Sequence, residues 1–182
     1  SFHTYSGRVR LPRQGSPSLR DCSYTISAEV EVGAGDEGVI VSYGGVDGGV
    51  TLCLIDEHVH YVSNFLGRAH YVASAATPLT PGRRVIDVLF ARTAPNAGEA
   101  RLYVDGALQA SATVERMNAV AFSSSEGLEV GSDTVSPVWP RYRSPFAFTG
   151  TIRRVVLSLP GGETPLTPEM ARAEYVLSMQ QQ

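Results

Sequence analysis

The sequence predicts an all-β fold, a β-sandwich or jelly roll, closed by one short C-terminal helix. Three observations lead there. Roughly ten short segments of strand-like residues recur at spacings of about eight to twelve, separated by Gly- and Pro-bearing turns. Asp105-Gly106 sits between two apolar runs and suits a two-residue hairpin turn that needs positive φ. A helical period emerges only near the end, in Thr167-Pro-Glu-Met-Ala-Arg-Ala-Glu-Tyr-Val-Leu177.

Taken in order, Ser1 to Ser23 is extended and rich in Pro, Ser and Arg. Within it Val9 and Leu11 alternate with Arg8 and Arg10, which predicts a short edge strand ended by Pro12. Tyr24 to Val32 keeps a period of two, with Tyr24, Ile26, Ala28, Val30 and Val32 on one face. Val39, Ile40, Val41 and Tyr43 form an apolar strand that runs into glycine-rich Gly44 to Gly49. Val50–Ile55 and His58–Ser63 make a hairpin around Asp56-Glu57, and Gly67–Ser74 adds a strand. Arg83 to Ala91 alternates again. The Asp105-Gly106 hairpin follows, and its register places Val104 opposite Ala107 and Tyr103 opposite Leu108.

The last strand carries Thr149, Thr151, Ile152, Val155, Val156, Leu157 and Leu159, residues that suit a pleated, half-buried surface. Its spacing breaks strict alternation between Ile152 and Val155. A bulge at Arg153-Arg154 restores it, turning Ile152, Val155, Leu157 and Leu159 inward and both arginines to solvent. So long an apolar strand belongs in the interior of a sheet. In the helix, Thr167 is the N-cap, Pro168 the first helical residue, and Met170, Ala173 and Leu177 share one face.

The chain of 182 residues suits one domain, residues 1–182, able to bury a core without staples. A net charge of -3 supplies no basic field for nucleic acid or an anionic membrane, and no apolar run reaches spanning length. All basic residues are arginine, so a phosphate loop ending in Gly-Lys is impossible, and no Gly-x-Ser-x-Gly elbow occurs. Cys22 and Cys53 lack metal-ligand spacing and read as buried free thiols.

Each candidate for chemistry has a plainer counterpart. Glu29 and Glu31 share a strand face, as a glycosidase pair would, but an exposed face accounts for them better. His58 and His60 share a face that His70 could approach; no further ligand closes a zinc shell. Asp133 and Asp47 lie in glycine-rich loops where calcium could bind, yet a dedicated loop's acidic density is missing. Asp133 is therefore read as ordering its loop through backbone amides. Trp139, Tyr142, Phe146 and Phe148 crowd one loop with Arg141 and Arg143. That cluster either stacks a sugar or docks on a protein, or it folds over its own aromatics; both readings stand.

Leu102-Tyr-Val-Asp-Gly-Ala-Leu, Gly150-Thr-Ile-Arg-Arg-Val-Val-Leu and Leu166-Thr-Pro-Glu-Met-Ala-Arg-Ala-Glu-Tyr resemble the closing half of laminin-G-like, concanavalin A-like sandwiches. A narrower resemblance runs from Tyr5-Ser-Gly-Arg-Val-Arg-Leu-Pro and Tyr24–Val32 through Gly38-Val-Ile-Val and Tyr61-Val-Ser-Asn-Phe-Leu-Gly. It continues in Leu128-Glu-Val-Gly-Ser-Asp-Thr, Ser136-Pro-Val, Tyr142 and Pro145-Phe-Ala-Phe-Thr-Gly. These pieces are similar to the C-terminal domain of bacterial arylsulfatases. The family tends to have Asp-Gly where Asp56-Glu57 stands, and an aromatic at Ser63.

That resemblance implies a non-catalytic accessory domain in a bacterial protein of the cytoplasm or periplasm. It would pack in cis against a sulfatase catalytic domain through the Trp139–Phe148 loop. The calcium and formylglycine of sulfate-ester hydrolysis would belong to that domain, and this chain would hold no cofactor and no catalytic residue. Neither Cys22 nor Cys53 heads the Cys/Ser-x-Pro-x-Arg motif that formylglycine formation needs. The binding or interface residues expected are Trp139, Arg141, Tyr142, Phe146 and Asp133, with Tyr61 and Asn64 from the Tyr61–Phe65 strand. The alternative is a lectin-like module that binds carbohydrate.

Overall fold

Tyr24–Val32 is the strand around which one sheet is laid, because its alternation gives it a wholly apolar face. A computed structural model describes residues 1–118, 123 and 125–159. In them the strands are β1 (Phe2–Tyr5), β2 (Val9–Arg10), β3 (Tyr24–Val32), β4 (Gly38–Gly45), β5 (Gly48–Ile55) and β6 (His58–Phe65). They continue as β7 (Ala69–Ser74), β8 (Gly82–Ala94), β9 (Ala97–Val104), β10 (Ala107–Val114), β11 (Leu128–Val130) and β12 (Thr151–Ser158). Two six-stranded sheets result, ordered β1-β12-β3-β8-β9-β10 and β2-β11-β4-β5-β6-β7. All the strand pairings within them are antiparallel. The jelly-roll sandwich is the architecture expected. The helix predicted at Thr167–Leu177 lies outside the described residues.

The core fills the space between the sheets. Ile26, Ala28, Val30, Ile86, Val88, Phe90, Leu102, Val155 and Leu157 face Ile40, Leu52, Leu54, Val59, Leu128 and Val130 across it. Tyr24 from the first sheet and Tyr61 from the second, both fully buried, join their hydroxyls in this core. Burial raises the pKa of both, so they stay neutral and one hydroxyl donates to the other without a buried charge.

The strand register follows the sequence closely. Val104 pairs with Ala107 and Tyr103 with Leu108, around Asp105 and Gly106 at φ 47° and 81°. Asp56 and Glu57 turn with the same positive sign, which sets Ile55 opposite His58. The register of β12 slips between Ile152 and Arg154, so Arg153 is the extra residue of the expected bulge. Arg153 is exposed and reaches Glu31 at 2.7 Å, whereas Arg154 is half-buried rather than fully in solvent.

Two further details depart from the sequence reading. Phe2–Tyr5 is a true strand, pairing with β12 to keep it off the sheet edge. Its four residues are too few to show a period. Cys22 is half-buried and only Cys53 is buried; both are free. Burial first, then the Asp21 charge, pushes the Cys22 thiol up to about 11, so it is protonated and unreactive at neutral pH.

Candidate functional site

Residues 131–150 link β11 to β12 and lie across the outer face of the second sheet. Gly131 opens this loop at φ 85°, and its N–H donates to Ile40 O. The loop returns beside β4: Ala147 forms a parallel bridge with Val39, and Val39 N donates to Phe146 O. A second apolar cluster forms underneath, where Trp139 and Tyr142 meet Val39, Cys53, Ile55 and Val62, with Phe146 packed against them. The face of the sheet that would otherwise meet water is thus a small core of its own.

Asp133 organises the loop. It is buried, and its Oδ2 accepts hydrogen bonds from Val138 N at 3.0 Å and from the Tyr142 hydroxyl at 2.5 Å. Burial pushes its carboxyl up to about 6 despite those two donors, which pull the other way. Tyr142 is raised too, by burial and then by the Asp133 charge, and also touches Thr51 Oγ1 at 3.3 Å. Ordering the loop through a backbone amide is the role expected of Asp133.

The expected site residues therefore divide. Trp139 and Tyr142 are 7% and 6% exposed, so they serve as the loop's own core rather than as an open stacking surface. Phe148 belongs to the main core. Arg141 reaches out, lying 4.9 Å over the Trp139 ring and 3.6 Å from Asp56. Tyr61 points between the sheets and offers no ligand surface. Asn64 is buried and donates to the carbonyls of Gly45, Val46 and Val138, while Gly67 N donates to it. It clamps two turns to the loop. Alternation on a strand tells which residues share a face; which face is covered depends on the chain that crosses it.

The metal candidates separate as well. His60 is buried between Ser74 Oγ and Ile55 O, and His58 Nδ1 contacts Asp56 O. His70 pairs across the strands with Asn64, well along β6 from both. Asp47 is exposed on the β4–β5 turn while Asp133 faces inward. No cluster of three metal-ligating side chains occurs among the described residues. Glu29 and Glu31 are half-buried rather than fully exposed, and each is met by an arginine, Arg83 at 3.1 Å and Arg153 at 2.7 Å.

A concavity that the sequence reading did not single out runs along β2 and β11. One hollow, about 390 Å³, is bordered by Arg8, Glu129, Ser132, Thr134, Pro145 and Ala147; its neighbour, about 270 Å³, by Leu11, Ser125, Glu126 and Val135. Arg10 and Glu129 line both, and their ion pair at 3.6 Å stands between them. Glu129 is 8% exposed and accepts from the Thr134 hydroxyl at 2.6 Å, while the Arg10 side chain is 65% exposed. Glu126 is held by Ser136 N and Oγ, both at 2.9 Å. The trough thus presents hydrogen-bonded acceptors beside exposed donors.

No family profile matches the chain, and no curated protein matches it. Solved structures do. Domains LG4-5 of the mouse laminin alpha1 chain align with a TM-score of 0.55 at 13% identity, over 90% of this chain and 44% of that one. The Caenorhabditis elegans galectin LEC-6 aligns at 0.52 and 9% identity, over 85% of this chain and 95% of the galectin. The botulinum neurotoxin serotype D binding domain aligns at 0.51 and 13% identity, over 96% and 42%. The fold is a concanavalin A-like sandwich. The chain spans less than half the length of the laminin and neurotoxin structures.

These likenesses carry the sandwich half of the resemblance; the arylsulfatase half rests on the quoted sequence pieces alone. Within this concanavalin A-like sandwich, the trough had one legible signal. Arg8 and Arg10 alternate with Val9, so both side chains leave the same face, and Glu129 follows the same rule on β11. What was missing was the pairing of two segments about 120 residues apart, Glu129 with Arg10.

Proposed function

We propose that this chain is a non-catalytic recognition module that binds carbohydrate in the trough along β2 and β11. The observation that carries the reading is the Arg10–Glu129 pair standing between two open hollows. A sugar hydroxyl both donates and accepts, so a vicinal diol can give a hydrogen to the carboxylate and take one from the guanidinium. Leu11, Val135 and Pro145 supply apolar contact for the C–H faces of a ring. The sandwich fold, shared with a galectin and a toxin binding domain, is compatible with this use but does not by itself establish it. A glycan array probed with the full chain tests the reading. Saturable hits that weaken in Arg10→Ala and Glu129→Gln support it, and an array without saturable hits rejects it.

A second reading is an accessory domain that packs in cis against an arylsulfatase catalytic domain. It is favoured by the long match of Leu128–Thr134 and Pro145–Gly150. Val46 and Val135, exposed apolar residues joined through Ser136, would give such a partner a place to seat. Its test is the reading frame upstream of Ser1. A formylglycine motif there supports it, and a start codon preceded by a stop removes it.

A further inference from the structure

The two hollows of the trough differ in charge. The hollow beside Pro145 and Ala147 carries two arginines, Arg8 and Arg10, against the single carboxylate of Glu129. Its neighbour keeps Arg10 and Glu129 and adds Glu126. Arg8 is exposed and commits one N–H to Phe148 O at 3.0 Å, which leaves other donors of its fork available. Its stem lies against Gly131: a Cβ there would come within 2.8 Å of Arg8 Cγ, and the positive φ independently favours glycine. The guanidinium is therefore held over the hollow by a backbone contact and a steric fit.

Ser132 borders the same hollow. It is 9% exposed, and its hydroxyl has no hydrogen-bond partner among the described residues. A buried hydroxyl left unpaired costs stability, so its presence beside an open, cation-lined hollow is a second sign of a ligand group there. We infer that this hollow takes the anionic substituent, a carboxylate or a sulfate, of an acidic saccharide. Arg8 and Arg10 would carry the charge and Ser132 would add a neutral donor. Glu126 would repel the same substituent from the neighbouring hollow, which orients the sugar along the trough. The inference rests on the carbohydrate-binding reading and deepens it.

The test uses the full chain and three probes: a β-linked disaccharide ending in glucuronic acid, its uncharged methyl ester, and a disaccharide of the same linkage ending in glucose 6-sulfate. Calorimetric titration is expected to show the acid or the sulfate binding about tenfold tighter than the ester, with the preference shrinking as salt rises. The tighter of the two charged probes names the substituent. Arg8→Gln should abolish the preference by weakening the charged probes about tenfold more than the ester, and Arg8→Lys should retain part of it. Ser132→Ala should weaken the charged probe several-fold without lowering the melting temperature, since its hydroxyl has no protein bond to lose. A melting temperature that falls while the affinities hold would instead make Ser132 structural and count against the site. Binding of both charged probes no tighter than the ester overturns the inference and leaves the module reading intact. Absence of binding by all three, together with an empty glycan array, overturns both.

Discussion

The Tyr142 hydroxyl lies 2.5 Å from Asp133 Oδ2, and both groups are buried beneath a loop that covers the outer face of a sheet. The same oxygen accepts Val138 N, so one carboxylate ties together three points of the loop. Tyr142→Phe removes the shorter of these bonds and leaves a buried acceptor under-satisfied. Chemical denaturation is expected to show a loss of about 1–3 kcal/mol. A loss below about 0.5 kcal/mol would mean that the aromatic packing alone holds the loop.

The same carboxylate gives stability a distinctive pH dependence. Asp133 titrates near 3.8 when exposed and is pushed up to about 6 in the fold, so the folded state holds its proton more tightly. Its contribution is full below about 3.8 and is lost as pH rises through about 6, amounting to at most about 3 kcal/mol. Asp21, held low first by its hydrogen bond from Arg92, acts in the opposite sense and is common to wild type and variant. Urea melts of wild type and Asp133→Asn between pH 4 and 7.5 isolate the effect. Wild type should lose stability relative to the variant as pH rises, and the reverse slope would refute the burial argument.

Trp139 and Arg141 are expected to behave differently. Trp139 is buried against Val62 and Cys53, with the His60 ring 5.1 Å away, so Trp139→Ala should cost about 3–5 kcal/mol. Arg141 stacks on the outside, and Arg141→Ala should cost less than about 1 kcal/mol. Thermal melts of the two variants decide whether the loop's aromatics are structural. A nearly silent Trp139→Ala would return that side chain to the candidate binding surface.

Asn64 faces three carbonyl oxygens with its amide nitrogen, the shortest contact being 2.8 Å to Val138 O. Asn64→Asp replaces those donors with a carboxylate oxygen at nearly the same volume. The expected loss is about 3 kcal/mol or more, easing as pH falls and the acid protonates. Stability equal to wild type at neutral pH would show that the turns are held by other bonds.

Gly38 stands where the loop returns to the sheet. At φ 115°, an added Cβ would lie 2.1 Å from Ala147 O, a backbone atom with no room to yield. Gly38→Ala should therefore cost about 2 kcal/mol or more and loosen the 145–148 segment, seen as faster amide exchange at Val39 and Phe148.

Much of the fold was legible because strand periodicity is local. Tyr24–Val32 shows its inner face in nine residues, Asp105-Gly106 sets a register by backbone sign alone, and the uneven spacing of Ile152, Val155 and Leu157 announces a bulge. Phe2–Tyr5 escaped because an edge strand of four residues has too little pattern to read. The site was less legible. Tyr61, Asn64, Trp139 and Tyr142 have the residue types of a binding surface, and nothing within a few residues of each one says what covers it.

The sequence by itself determined the strands other than Phe2–Tyr5, their inward faces, the hairpin registers and the loop-ordering role of Asp133, since each depends on residues close in the chain. Tertiary structure alone decided that the 131–150 loop folds back on the second sheet, burying its aromatics, and that Arg10 meets Glu129 between two hollows. Those contacts join segments far apart in sequence. Whether a side chain is core or surface is a property of what lies over it in space, and local alternation carries no record of that.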